Sequence, residues 1–210
     1  MATDLREIEP AHPNADALDR AAAAIRRGAV IAIPTDALYS LVADPFSLNA
    51  VGKVFLAKGR EPHRSLPLFV SDLMMAEDLA KDPPARFFVL ARHFWPGPLT
   101  MIVPASAKVP LRVTGNTGRL ALRQSRSEVA NRLLERLNQP LIATSANISG
   151  KPTCRSGTEV FGQMDGRVDL VLDGGLCAGP GATTVDVTEP LWQIIREGAI
   201  HEKDIADCLA

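Results

Sequence analysis

The sequence predicts an α/β fold, because short apolar runs typical of strands alternate with longer segments of helical periodicity. Polar or glycine-containing segments follow several apolar runs, as they do at the carboxyl ends of sheet strands. The 210 residues are enough to bury a sizeable core. Because we find no repeat, low-complexity tract or interdomain linker, we expect a single domain over residues 1–210. The pattern leaves the strand order open.

The predicted elements can be placed in chain order. An alanine-rich helix over 15–27 ends before Gly28, a residue type suited to a left-handed helix C-cap, and an apolar strand follows over 29–33. A second helix over 48–57 begins after Ser47, whose hydroxyl can cap the first turn. The same patterns predict further helices over 73–80, 85–94, 128–137 and 202–209, and further strands over 66–70, 100–103, 120–123, 141–143, 170–172, 184–187 and 192–195.

The segment 144–150, T-S-A-N-I-S-G, places short polar side chains directly after an apolar run. In open α/β sheets, ligands bind outside the carboxyl ends of the strands, where Ser145 and Asn147 would then lie. The same residue types also form ordinary turns for local backbone reasons. Taken alone, the segment is compatible with either interpretation.

Two further polar segments have the same ambiguity. Thr35 and Asp36 follow the first strand and could contact a ligand or form a local turn. Lys58 and Arg60 follow the second helix, where cations are favoured by the helix dipole but could also bind a triphosphate.

Arginines and glycines mark the later part of the chain. Arg119 and Arg123 are four residues apart on one strand and should project from the same face, with a solvated face as the default interpretation. The glycine-rich segment 173–181 precedes Thr183 and can approach a ligand closely or simply be mobile. Arg196 follows the last predicted strand.

Together, these segments resemble the YrdC domain family, the threonylcarbamoyl-adenylate synthases, over about residues 22–200. Each motif is weak by itself, but the ordered set is specific. The motifs are P-T-D with a following tyrosine at 34–39, K-x-R at 58–60, P-G-P-L-T at 96–100, Arg123, S-x-N at 145–147, T-T-V-D at 183–186 and R-x-G at 196–198.

The resemblance implies a twisted open mixed sheet with flanking helices and a large concave ligand face. It also implies a nucleotidyltransferase reaction, in which L-threonine, bicarbonate and ATP give threonylcarbamoyl-adenylate and pyrophosphate. The product would serve the threonylcarbamoyladenosine modification of tRNA, with partner proteins passing it to the tRNA. Mg²⁺ bridging phosphate oxygens is expected, and no metal ligand is assigned.

The family pattern also implies roles for individual residues. The residues expected to hold threonine are Thr35, Arg123, Ser145 and Thr183. The residues expected to lie along the nucleotide are Lys58, Arg60, Asn147, Arg155 and Arg196. Because charge on the triphosphate must be met by cations, Lys58 and Arg60 are also the predicted catalytic residues.

Several positions depart from the commonest form of the pattern. A YrdC-fold enzyme with another carbamoyl-adenylate or acyl-adenylate product therefore remains an alternative. A second alternative is a module that binds double-stranded RNA or tRNA on a basic concave face without chemistry. The departures are Ala37 for threonine, Ser40 for glycine, Glu61 for proline, Gln124-Ser125 for valine-proline, and Ser71 and Arg119 for histidine and threonine.

Composition narrows the function classes. The formal net charge of -1 argues against a dedicated nucleic-acid coat protein. The three cysteines have no C-x-x-C spacing, so reduced thiols are expected rather than disulfides or a zinc site. The N-terminus lacks a secretion-signal pattern, and no apolar run approaches the roughly 20 residues that span a bilayer. We therefore expect a cytoplasmic protein with no membrane partner.

Overall fold

The computed structural model describes residues 2–210 and confirms the mixed α/β fold class. The helices are α1 (Ala15–Arg26), α2 (Leu48–Lys58), α3 (Leu73–Leu79), α4 (Ala85–Phe94), α5 (Leu111–Thr114), α6 (Glu128–Leu137), α7 (Gly157–Met164) and α8 (Glu202–Leu209). The strands are β1 (Asp4–Glu7), β2 (Ile31–Ile33), β3 (Ser40–Val42), β4 (Leu68–Phe69), β5 (Leu99–Pro104), β6 (Arg119–Arg123), β7 (Leu141–Ile142), β8 (Thr144–Ser145), β9 (Leu170–Asp173), β10 (Thr183–Asp186) and β11 (Gln193–Arg196).

The strands divide between two mixed sheets instead of joining in one. One sheet has the order β1-β9-β2-β3-β8, and the other has the order β11-β10-β5-β6-β4-β7. The predicted strand over 141–143 is observed as β7, which pairs in the second sheet, and β8, which was not predicted, follows directly and pairs in the first. The chain therefore crosses from one sheet to the other at Ala143.

Two hydrophobic clusters follow from the alternation of side chains along the buried strands. In β2, Ile31 and Ile33 pack in a cluster with residues of α1 and α6, whereas Ala32 packs in the larger cluster, which includes residues of α2 and α4. All three β2 residues are fully buried. Because successive strand residues point to opposite faces, a continuously apolar strand is what a sheet covered on both sides requires.

The capping predictions are confirmed at two helices. Gly28 follows α1 with φ +78°, and the Ser47 hydroxyl accepts the Ala50 N–H at the start of α2. At the other end of α2, Gly59 adopts φ 57° and donates its N–H to the Leu56 carbonyl oxygen. This left-handed residue ends the helix and redirects the chain between Lys58 and Arg60.

The predicted helices over 85–94, 128–137 and 202–209 have the observed bounds. The elements without a sequence prediction are short or atypical: α5 is a single turn, α7 contains two glycines, β1 is a charged edge strand, β3 has three residues, and β8 has two. Cys154, Cys177 and Cys208 are free thiols, as predicted. Over residues 2–210, the helices are too short or too polar to cross a membrane.

Candidate active site

A cavity of about 230 Å³ lies where β3 and β8 of one sheet approach the face of the other. Three arginines line it, and its described lining contains no acidic residue. The lining residues are Ala37, Leu38, Tyr39, Ser40, Arg60, Pro67, Phe69, Thr100, Ala121, Arg123, Ala143, Thr144, Ser145, Thr153, Gly181, Ala182, Thr184 and Arg196. A net positive, concave site of this kind is suited to an anionic ligand.

One wall of the cavity is a row of side chains across the six-stranded sheet. Thr184 pairs with Arg196 on β11 and with Thr100 on β5. In the antiparallel pairing of β5 with β6, Met101 lies opposite Leu122. The next pair along the strands places Arg123 opposite Thr100, so Arg123 continues the row. Because residues opposite one another share a face, the sheet register brings these four side chains to one wall.

A β-bulge directs Arg196 into this row. Val185 pairs with Ile194, but Thr184 pairs with Arg196, so Ile195 is the extra residue of β11. Without it, Arg196 would share the face of Ile194, which packs against the hydrophobic core. The bulge therefore turns the guanidinium from the core face to the cavity face, a common use of bulges beside functional sites.

The segment after Arg196 is held by close backbone packing. A Cβ at Gly198 would lie 2.5 Å from the Ala182 carbonyl carbon, so only glycine fits there. Arg196 Nη2 donates to the Ala182 carbonyl oxygen at 2.8 Å. The Thr183 hydroxyl donates to the Ile200 carbonyl oxygen at 2.7 Å and accepts the Ile200 N–H at 3.0 Å. Thr183 is fully buried, and its hydrogen bonds hold this segment behind the cavity wall.

Arg123 is held on several sides. Its Nε donates to the Gly97 carbonyl oxygen at 3.0 Å, and its guanidinium lies 5.7 Å from the Phe69 ring centroid. Its Nη2 is 2.6 Å from Asp36 Oδ1, close enough for an ion pair although the N–H is poorly aligned for a hydrogen bond. The Ser125 hydroxyl donates to the same carboxylate oxygen. Burial lowers the pKa of Arg123, and the Asp36 charge opposes that effect.

Lys58 lies behind the S-x-N segment and does not line the cavity. Its Nζ donates to the Ser145 carbonyl oxygen, to the Asn147 carbonyl oxygen at 3.0 Å and to Asn147 Oδ1 at 3.1 Å. The Ser145 hydroxyl donates to the same Asn147 Oδ1 at 2.6 Å. Lys58 is 2% exposed, and burial lowers its pKa to about 8, with the Arg60 charge adding to the effect.

Arg60 extends from the turn after α2 to the cavity. Its Nη2 donates to the Ser65 carbonyl oxygen at 2.8 Å, while its buried Nε has no hydrogen-bond partner among residues 2–210. Burial lowers the pKa of Arg60, with a smaller contribution from the Arg64 charge. The guanidinium therefore brings an incompletely satisfied positive charge to the site.

The structure divides the predicted site residues into two groups. Those that line the cavity are Arg60, Arg123, Ser145 and Arg196, while Thr35, Lys58, Asn147, Arg155 and Thr183 do not. The Thr35 hydroxyl donates to the Leu38 carbonyl oxygen at 2.6 Å and shapes the turn, the structural alternative allowed by the sequence. The threonine and nucleotide roles assigned to all nine residues remain predictions.

Arg155 and Arg119 lie outside the cavity lining. Arg155 donates to the carbonyl oxygens of Cys177 and Ala178, both at 3.3 Å, and so contacts the glycine-rich segment. Arg119 lies at the opposite end of β6 from Arg123, where it contacts Asp186 at 2.8 Å and Glu189 at 2.6 Å. Its charge is thereby met by carboxylates.

Most of the hydroxyls that line the cavity were not among the predicted site residues. Those of Ser40, Thr100, Thr144, Thr153 and Thr184 all do so. Within the described part of the chain, none has a side-chain hydrogen bond to another residue. Alternation predicts that Thr183 and Thr184 face opposite sides, but only the pairing with Thr100 reveals which one faces the cavity.

The side chains do not fit a resident Mg²⁺ site. No group of three or more His, Cys, Asp or Glu side chains within 2–210 is placed to hold a metal ion. The cavity lining offers arginines and hydroxyls, whereas Mg²⁺ prefers carboxylate and phosphate oxygens. The cavity lining described here therefore supplies no carboxylate ligand for a resident metal.

The chain is similar in sequence to known proteins. The family model Sua5_yciO_yrdC, described as "Telomere recombination", matches residues 23–198. A threonylcarbamoyl-AMP synthase of Pyrococcus abyssi is 38% identical over 186 residues, covering 88% of this chain and 55% of the relative. One of Idiomarina loihiensis is 35% identical over 190 residues, covering 88% of this chain and 100% of the relative.

The fold is also similar to solved structures. The crystal structure of P. abyssi Sua5 complexed with L-threonine has a TM-score of 0.93 and 34% identity, covering 99% of this chain and 61% of that one. The chain therefore spans little more than half the length of the P. abyssi relative.

Proposed function

This chain belongs to the Sua5/YciO/YrdC family, and from that membership we propose that it is an L-threonylcarbamoyladenylate synthase. The observation that carries the proposal is the cavity, on which three guanidiniums and several hydroxyls converge without an acidic residue among the described lining. The substrates, L-threonine, bicarbonate and ATP, all present anionic groups. L-Threonine is also the ligand of the similar Sua5 structure.

The proposed reaction needs positioning more than an activated side chain. The threonine amine and bicarbonate give a carbamate and water; a carbamate oxygen then bonds to the α-phosphorus as the bond to pyrophosphate breaks. Arg123 would bind the threonine carboxylate, Ser145 would contact the substrate, and Arg60 and Arg196 would meet the phosphate charge. Holding the unstable carbamate close to the α-phosphorus is the main contribution expected of such a site.

The residues behind the cavity would act by positioning those that line it. Lys58 and Asn147 hold the Ser145 segment, and Thr183 holds the segment of Arg196. Mg²⁺ would arrive with the phosphates of ATP and not as a resident ion. We further propose that the product passes to tRNA through partner modification proteins, in the cytoplasm.

A second candidate is an enzyme of the same fold with another carbamoyl-adenylate or acyl-adenylate product. The observation that favours it is Ser40, which lines the cavity opposite Ser145 where the family commonly has glycine. A side chain at this position reduces the space for the ligand and adds a hydroxyl.

The purified chain should be incubated with ATP, Mg²⁺ and bicarbonate, with and without L-threonine. We expect threonine-dependent pyrophosphate release together with threonylcarbamoyl-adenylate detected by mass, and loss of both in Arg123→Met. ATP binding without product would instead favour the second candidate and a screen of other amino acids. Neither ATP binding nor release, with tRNA binding that weakens steeply with salt, would favour the RNA-binding module.

A further inference from the structure

The row Arg123, Thr100, Thr184 and Arg196 has an arrangement that the proposed reaction alone does not explain. Two hydroxyls stand between two guanidiniums, one residue on each of four neighbouring strands. With strands about 4.8 Å apart, the Cα atoms of the two arginines are about 14 Å apart, and their side chains line the same cavity. The row is therefore positive at both ends and neutral in the middle.

The two end charges are not compensated from within the cavity. Asp36 pairs with Arg123 but does not itself line the cavity. The Arg196 guanidinium donates to the Ala182 carbonyl oxygen, and no ion pair of Arg196 is found within residues 2–210. Burial lowers the pKa of Arg123, the Asp36 charge opposes that effect, and the Arg196 charge adds a smaller lowering, so the two cations repel each other weakly. An anion at each end would relieve that repulsion.

The two middle hydroxyls differ from their buried neighbour. Thr183 uses its hydroxyl twice, as donor to and as acceptor from Ile200. Within the described residues, Thr100 and Thr184 make no side-chain hydrogen bond, although Thr100 is only 6% exposed. A hydroxyl can both donate to a carbonyl oxygen and accept an N–H. The two hydroxyls are therefore suited to a planar group that has both a carbonyl oxygen and an N–H.

We propose that Thr100 and Thr184 bind the carbamoyl group at the centre of a ligand whose carboxylate is held by Arg123 and whose phosphate is held by Arg196. This inference rests on the proposed function and deepens it, because it assigns the order of the groups along the wall. The row therefore fits an acyl phosphate with two anionic groups better than it fits free threonine. Thr184 then replaces its neighbour Thr183 as the substrate contact.

The inference can be tested by binding, without turnover. The probe is N-phosphonoacetyl-L-threonine, which joins an α-carboxylate, a planar amide and a phosphonate in that order. Its affinity should be measured by titration calorimetry beside that of L-threonine, on the full chain and on Thr100→Val and Thr184→Val. Valine keeps the branched shape and removes the hydroxyl. We expect each change to weaken the probe about tenfold and L-threonine less than about twofold.

Two matched variants complete the comparison. Thr188→Val is the same change outside the cavity lining and should leave the affinity for the probe unchanged. Thr183→Val should lower the melting temperature, because it breaks the bonds to Ile200. These variants separate loss of a ligand contact from loss of local structure.

Three results would overturn the inference: no binding of the probe to the unmodified chain, equal binding by the valine variants, or equal weakening of the probe and L-threonine. The last would place the hydroxyls on the amino acid itself. Because product formation is measured separately, failure of the inference is distinct from failure of the proposed function. A chain that makes threonylcarbamoyl-adenylate but fails the probe test loses only the inference.

Discussion

The Nζ of Lys58 lies 3.0 Å from the Asn147 carbonyl oxygen and 3.1 Å from the Oδ1 of the same residue. The Ser145 carbonyl oxygen is a third acceptor. An ammonium group has three N–H donors, so all three are used within the protein. This geometry makes Lys58 a positioning residue for the S-x-N segment, whereas its predicted contact with the nucleotide remains untested.

Lys58→Met should therefore destabilise the fold. It removes three hydrogen bonds from a charged donor, at about 1.5 to 3 kcal/mol each, and also removes a desolvated charge worth roughly 3 kcal/mol in the opposite direction. We expect a net loss of about 2 kcal/mol or more in the free energy of unfolding at pH 7, measured in urea. Arg60→Met is the matched control, since it removes one bond to Ser65 and should cost less. Equal costs would contradict the positioning role.

The ionisation of Lys58 should be visible in the pH dependence of stability. Burial lowers its pKa from 10.5 to about 8. Between these values the unfolded chain binds more protons at this residue than the folded chain, so the free energy of unfolding should rise with pH. Relative to Lys58→Met, we expect a rise on the order of 2 to 3 kcal/mol between about pH 8 and 10.5. If the free energy of unfolding changed with pH equally in the unmodified chain and in Lys58→Met, the pKa of Lys58 would not be lowered.

The sequence predicted the elements whose signals are local. The periodicity and caps of α1, α2, α4, α6 and α8 depend on neighbouring residues, and those helices were placed to within a residue or two. The motifs likewise identified the segments around the cavity. Four of the nine assigned side chains line it, and the other five lie behind or beside it.

The remaining features depend on pairing between distant strands. The crossing between sheets at Ala143 and the bulge at Ile195 exist only relative to partner strands, and single-sequence patterns do not specify those partners. For the same reason the sequence could not show that Thr184 lines the cavity and Thr183 does not, and the threonine role assigned to Thr183 remains a prediction. The burial of Lys58 depends on a segment 87 residues away.

Gly198→Ala should disrupt the position of Arg196. The added Cβ would lie 2.5 Å from the Ala182 carbonyl carbon and 2.6 Å from Thr183 N, and these backbone atoms cannot give way cheaply. We expect a loss of about 1 to 3 kcal/mol in stability and weaker ATP binding, measured by unfolding and calorimetry. Gly162→Ala is the control: it has open space in helix α7 and should be stabilising by up to about 1 kcal/mol. Unchanged ATP binding in Gly198→Ala would show that this turn does not contribute to nucleotide binding.

Arg119→Thr should preserve threonine-dependent activity. Arg119 shares a face of β6 with Arg123, but it lies outside the cavity lining and its charge is met by Asp186 and Glu189. Its side chain is 43% exposed, and ion pairs of this kind contribute about 0 to 1 kcal/mol to stability. We expect kcat/KM for L-threonine to stay within about threefold of the unmodified chain, whereas Arg123→Thr should abolish activity. A loss beyond about tenfold in Arg119→Thr, near 1.4 kcal/mol, would place this arginine in contact with the substrate despite its position.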